Sequence, residues 1–323
     1  TLGRSSLGFV VSSWLLYFYL PPNDDPLVPV ALYGTAILGG RLIGALATPY
    51  LGHLSDRSKS RLGRRLPFMF VAAILILVVF VMFWSPPIRE ASLTNWGYLL
   101  LVSILYRVAV GLYQVPGQAL LPELAKDDKE RVALSTWESI FLLVGIMWGG
   151  AAGIFIEKSG FRPMSFIYLV VGGVAFFVPF FFLRERNPKI KASSVRFWDS
   201  LRRTLQNKTF LHFALVWVLY LVATNFVQSA APYIVTEVCL LKTSGTAYFF
   251  YLPGTIASLL CYPLIGKSAQ RWGKEKIYSG SLLVSALVFP ATILIGPWIP
   301  LPMKVQCSGW AVLQSVSIAG LVV

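Results

Sequence analysis

PFMFVAAILILVVFVMFW, Pro67 to Trp84, runs for eighteen residues without one ionised side chain. At about 1.5 Å of rise per residue, a helix of that length roughly crosses the 30 Å hydrocarbon core of a bilayer. A helix at the surface of a soluble domain keeps its apolar residues on one stripe, and this run is apolar on every side. The reading extends outward from it, because similar runs recur along the chain. Candidate spans cover Gly3–Leu20, Val28–Leu51, Pro67–Trp84, Trp96–Leu120 and Val132–Ile156. They continue over Pro163–Leu183, Phe210–Val235, Thr246–Ile265, Tyr278–Ile295 and Val305–Val323, ten in all. Hydrocarbon cannot satisfy open backbone groups, and the short alternating segments of a barrel are absent, so the spans are expected to be helices.

Composition agrees. Of 323 residues, 56% are hydrophobic and 13% charged, where a soluble chain is nearer a quarter charged. Mean hydropathy is +0.68. The net charge of +14 would suggest nucleic acid in a soluble protein. Here the basic residues sit between apolar runs, which excludes that reading and points to the positive-inside bias. Cys239, Cys261 and Cys307 are widely spaced and odd in number, which suggests neither a disulfide framework nor a zinc site.

Every second loop is basic. His53–Leu66, Pro122–Arg131, Arg184–Lys208 and Lys267–Lys276 hold twenty Lys and Arg residues, and the intervening loops hold five. Both ends of the chain are therefore expected on the cytoplasmic side of a plasma or bacterial inner membrane. Within 184–208, the positions Val195, Trp198, Leu201 and Leu205 share one helical face opposite Arg196 and Arg203. An amphipathic basic helix lying on the inner membrane surface is expected there. It divides the chain into a six-helix bundle at 1–183 and a four-helix bundle at 209–323. The stretch Gly266 to Lys274, after the eighth span, echoes Gly52 to Arg57, after the second. Two repeats of six predict twelve spans. With ten present and an apolar final segment, the sequence predicts two further helices beyond Val323.

Gly52-His-Leu-Ser-Asp56-Arg57-Ser-Lys-Ser-Arg61-Leu-Gly63-Arg64-Arg65-Leu-Pro67-Phe68 resembles the loop signature of the major facilitator superfamily. The Ser-Lys-Ser-Arg insert resembles that of the glycoside–pentoside–hexuronide:cation symporters and the related sucrose transporters. Arg41 to Gly52, Val115 to Leu124 and Ala231 to Val238 are similar to further segments of that family. The resemblance implies a two-bundle, all-α transporter that moves a sugar or glycoside by alternating access. It also implies an inner gate formed by Gly52, Asp56, Arg57, Gly63, Arg64 and Arg65. On the residues alone, Gly52 permits a tight helix exit. The family usually carries two aspartates in the second span as cation ligands, and this chain has Gly44 and Thr48 in their places. An acidic position in the fourth span falls on Gln114. Sodium coupling through the second span is therefore not expected.

Ionisable residues inside spans cost about 2.5–3.5 kcal/mol or more at the centre unless paired or wetted, so they are functional candidates. Arg41, Arg107 and Glu138 stand out. Gln114 and Gln118 follow Arg107 by seven and eleven residues, on one helical face. Two readings stand side by side: a polar cavity wall that binds a hydroxylated or anionic solute, and an Arg–Glu pair that locks the first bundle. In the seventh span, Asn225 and Gln228 suit sugar hydroxyls, and helix–helix hydrogen bonds would suit them equally. The expected binding set is Arg107, Gln114, Gln118, Asn225 and Gln228. The expected partners are a small-molecule substrate, a coupling proton or sodium ion, and lipid, with no nucleic acid. No cofactor, metal or enzymatic motif is evident. The alternative function is a non-transporting member of the same fold that handles lipid or pigment as an assembly factor.

Overall fold

The computed structural model of the chain describes residues 1–56, 58, 63, 65–124, 128–182, 206–288, 290–291 and 299–322. Helices make up the fold, with no strand among the described residues. The first half contains α1 (Leu2–Tyr19), α2 (Val30–Asp56), α3 (Leu66–Phe83) and α4 (Leu93–Leu124). It continues with α5 (Asp128–Gly150), α6 (Ala152–Ser159) and α7 (Phe161–Phe182). The second half contains α8 (Lys208–Tyr233), α9 (Leu252–Trp272), α10 (Lys274–Val288) and α11 (Met303–Val322), with π-helical turns at Ile234–Val238 and Thr246–Tyr251. Among the described residues, six helical segments are long and apolar enough to cross a membrane: Val30–Ser55, Leu66–Phe83, Leu93–Leu120, Trp137–Ser159, Phe161–Phe182 and Phe210–Val238. The chain is a polytopic, all-α integral membrane protein. The amphipathic linker helix expected at 184–208 lies outside the described residues apart from 206–208.

The lipid-facing pattern is clear on α3 and α7. Val71, Ile74, Leu75 and Val78 form one exposed stripe, and Phe166, Val170, Val174 and Val178 form another. Their opposite faces supply Ala72, Ala73, Ile76, Phe80 and Phe176 to the core of the first half. A smaller core in the second half gathers Val227, Ala231, Val235, Phe250, Trp310 and Ala311.

α2 lies along α4, and small residues set how closely. A Cβ on Gly40 would come within 2.6 Å of the Ser103 Cβ, and one on Gly44 within 2.5 Å of the Arg107 Cβ. Gly40 and Gly44 are four residues apart, so both face α4. This small-xxx-small spacing lets membrane helices approach closely and gain dispersion energy. Gly52 continues the stripe, since a Cβ there would meet Val115 at 3.1 Å. The helix does not exit at Gly52, as the sequence suggested, but runs on to Asp56. Close packing against α4 offsets the roughly 1 kcal/mol that a mid-helix glycine costs.

The fifth span is broken at Ala151 into α5 and α6. The Tyr168 hydroxyl donates to the Trp148 carbonyl, which also accepts from the Ala151 N–H. A side chain inserted into the helical ladder is a common cause of a kink. In the seventh span, Pro232 lacks an N–H, and the π-turn Ile234–Val238 follows it directly. Cys239, just beyond that turn, is disulfide-bonded to Cys307 in the first turns of α11. The sequence suggested no disulfide, because a separation of 68 residues gives no sign that these two helix ends meet. Cys261 is free.

Asn95 anchors the loops at the Tyr19 end of the first half. Its buried amide donates to the carbonyls of Leu27, Ile88 and Glu90, and its Oδ1 accepts from the Ile88 N–H. Each buried partner left unpaired would cost about 1–3 kcal/mol, so this side chain is structural.

Candidate functional site

The two halves meet along α1. The Ser229 hydroxyl on α8 donates to the Ser12 carbonyl at 2.9 Å, and the Tyr233 hydroxyl donates to the Leu20 carbonyl at 2.6 Å. The Tyr251 hydroxyl donates to Ser13 Oγ at 3.1 Å, and its ring packs edge-on against Phe9 with centroids 4.8 Å apart. Nearer the loops, Lys242 pairs with Glu157 at 3.5 Å, and Glu157 accepts from the Ser244 N–H at 3.1 Å. These contacts join the halves from the middle of α1 to the end where it finishes. Toward the other end, α2 exposes Leu46 and Tyr50, at 80% and 68% of their surface.

Between the halves, beside the α1–α8 seam, lies a cavity of about 90 Å³. α1 contributes Ser12 and Leu16, α2 contributes Tyr33, Ile37 and Arg41, α4 contributes Ser103, Tyr106 and Arg107, and α8 contributes Ser229. Positions 33, 37 and 41 recur every four residues, as do 103 and 107, so single faces of α2 and α4 form the wall. Arg41 Nη2 donates to Asn225 Oδ1 across the halves at 3.2 Å, and Asn225 Nδ2 donates to the Leu221 carbonyl.

The expected site residues fall into three groups. Arg41 and Arg107 line the cavity, and Asn225, itself outside the wall, is bonded to Arg41. Gln114 and Gln118 are not part of its wall. They continue the Arg107 stripe roughly 10 and 16 Å further along α4, toward the end away from the seam, half-buried and exposed respectively. Gln228 is half-buried on α8 and is also outside the wall. Glu138 accepts from the Thr1 hydroxyl at 3.2 Å. It forms no ion pair with Arg41 or Arg107 among the described residues, so the Arg–Glu lock is not what the structure shows. Tyr33, Tyr106, Ser12, Ser103 and Ser229 were missed in the sequence. A signal was present for three of them: Tyr33, Ser103 and Ser229 lie one or two helical turns from Arg41, Arg107 and Asn225 on the same faces, whereas Tyr106 is the chain neighbour of Arg107 and Ser12 lies on α1, which carries none of the three.

In the expected gate segment, Arg65 is buried, and its Nη1 donates to the Ala119 carbonyl near the end of α4 at 3.0 Å. That contact lies within the first half. Gly63 is buried with φ of 108°, a backbone conformation that favours glycine. Asp56 ends α2, and Arg57 and Arg64 lie outside the described residues.

Residues 2–318 match the family of MFS/sugar transport proteins. The chain belongs to that family. The chain is similar to the uncharacterized symporter YnaJ of Bacillus subtilis (strain 168), 24% identical over 89% of this chain and 63% of its own length. The multidrug resistance protein MdtG of Citrobacter koseri is 26% identical over 80% of this chain and 61% of its own. The chain thus spans about six tenths of the length of these two relatives. Among solved structures, the nucleoside transporter NupG superposes with a TM-score of 0.60 at 17% identity, over 98% of this chain and 77% of that one. That likeness shows the fold, an all-α major-facilitator architecture.

Proposed function

We propose that the protein carries a small organic solute, a sugar, glycoside or other polyhydroxylated molecule, by alternating access at the cavity between its halves. The observation that carries this reading is the bond from Arg41, in the cavity wall, to Asn225 of the other half, with Tyr33, Tyr106, Ser103 and Ser229 lining the same cavity. Phenol, hydroxyl and amide groups match solute hydroxyls, and aromatic rings suit sugar faces. The halves, 1–183 and 209–323 on this reading, are closed at the α1–α8 seam. With the basic loops on the cytoplasmic side, this is the state closed to the outside. The segment around Asp56 would then form the opposing inner gate.

Coupling to a cation would not run through α2. The space beside Gly44 is taken by Arg107, and the Thr48 hydroxyl donates to the Gly44 carbonyl at 2.7 Å. A hard cation wants several oxygens with carboxylates among them, and neither residue offers one. The test is counterflow in proteoliposomes of the full-length protein, with labelled sugars, glycosides and nucleosides and with sodium or choline outside. Accelerated exchange of at least one solute, insensitive to Thr48→Val, is expected. No exchange of any solute would favour a non-transporting assembly factor, and steep sodium dependence lost in Thr48→Val would overturn the coupling assignment.

A further inference from the structure

The cavity wall carries two guanidinium groups, Arg41 and Arg107, and no carboxylate. Arg41 donates to a neutral amide, Asn225. Arg107 makes no hydrogen bond or ion pair among the described residues. Ser103 lines the same wall one helical turn before Arg107. It is only 4% exposed, and its hydroxyl has no partner. The glycine at position 44 lets α4 approach closely enough to place Arg107 here, since a Cβ on Gly44 would stand 2.5 Å from the Arg107 Cβ.

Two like charges at one low-dielectric wall repel each other and concentrate anions. A planar guanidinium also binds carboxylate and phosphate oxygens through paired N–H donors. We infer that the solute is an organic anion whose carboxylate or phosphate is held between Arg41 and Arg107, with the Ser103 hydroxyl donating a further hydrogen bond. The cavity takes the charged head, and the polar body of the solute extends along the α4 stripe toward Gln114 and Gln118. This deepens, and rests on, the solute-transport reading above.

Equilibrium binding to the full-length protein in lipid nanodiscs tests the inference with three matched pairs: glucose and glucuronate, glycerol and glycerol 3-phosphate, adenosine and adenosine 5′-monophosphate. At least one anion is expected to bind more tightly than its neutral partner by about tenfold or more. Arg107→Gln should weaken that anion by about 30-fold or more, with much of the loss restored in Arg107→Lys. Arg41→Gln, at an exposed position, should weaken it in the same direction and guards against a folding defect at position 107. Neutral partners that bind as tightly as the anions, no anion bound, or anion binding unchanged in both variants would each overturn the inference. Counterflow of the same compounds is read separately. An anion that binds as expected without counterflow overturns the transport reading alone. Counterflow of a neutral solute, undiminished in Arg107→Gln and with no anion bound, overturns the anion assignment alone.

Discussion

Gly40→Val should lower the melting temperature of the purified protein by roughly 6–12 °C and shift much of it out of the monodisperse peak. The Cβ alone would stand 2.6 Å from the Ser103 Cβ and 2.8 Å from the Ser103 carbonyl carbon. The second of these is backbone, so no rotamer change relieves the clash, and α2 must retreat from α4. Overpacking of this kind costs on the order of 3 kcal/mol, and each kcal/mol moves the melting point of a large domain by about 2–4 °C. The seam affected carries Arg41 and Arg107, so solute binding should fall with stability. Gly34→Ala, on the same helix, is the control. A Cβ at Gly34 meets nothing within 4 Å, and alanine improves helix propensity by up to about 1 kcal/mol. That variant should melt no lower than the parent. Equal losses in the two variants, read by fluorescence-detected size exclusion and thermal melting, would show that the α2–α4 approach is not limiting.

Covalently joining the halves at the seam should reduce exchange of solute to near background. Ser13 and Tyr251 are bonded side chain to side chain at 3.1 Å, and their contact must break if the halves rock apart. The double variant Ser13→Cys, Tyr251→Cys, made in a Cys261→Ser background, is expected to lose about nine-tenths of its counterflow when a bifunctional methanethiosulfonate reagent bridges the two thiols, and to recover it on reduction. The spacer takes the place of the tyrosine ring, which is too long for a direct disulfide between the two positions. Each bonded contact here is individually weak, about 1 kcal/mol net, so the open seam is thermally accessible in the parent. The cross-link removes that option. Each single-cysteine variant should keep its rate under the same reagent, and the parent should keep its rate under the reductant that also reaches Cys239–Cys307. Undiminished exchange in the cross-linked double variant would show that this seam does not open during transport.

Much of the fold is legible in the sequence because its determinants are local. The Pro67–Trp84 run becomes α3 (Leu66–Phe83) nearly end for end, since length and hydropathy in lipid leave little choice but helix. The features that escaped depend on contacts between distant segments. Gly44 stands at a position where the family's pattern led one to look for a missing ligand, and its role in this chain is to admit Arg107. Tyr168 bends the fifth span through a carbonyl twenty residues away in sequence. Cys239 and Cys307 meet only because the end of α8 lies beside the start of α11. The site was half legible. Arg41, Arg107 and Asn225 are conspicuous as polar residues inside apolar helices, and the structure gathers them. Gln114, Gln118 and Gln228 are as conspicuous, yet a helical face fixes direction without fixing depth. Ser103 and the tyrosines are too ordinary in membrane helices to stand out until their neighbours are known.

The central claim is that a cavity between the halves, beside Arg41 and Arg107, is reached by solute from one side of the membrane at a time. Ile37 lines that cavity one turn from both Tyr33 and Arg41. In full-length protein carrying Ile37→Cys and Cys261→Ser, reconstituted in one orientation, a membrane-impermeant thiol reagent should label position 37 from the basic-loop side. Labelling from the opposite side should rise only when transported solute is supplied there and the halves cycle. Equal labelling from both sides without solute, or none from either, would contradict the account.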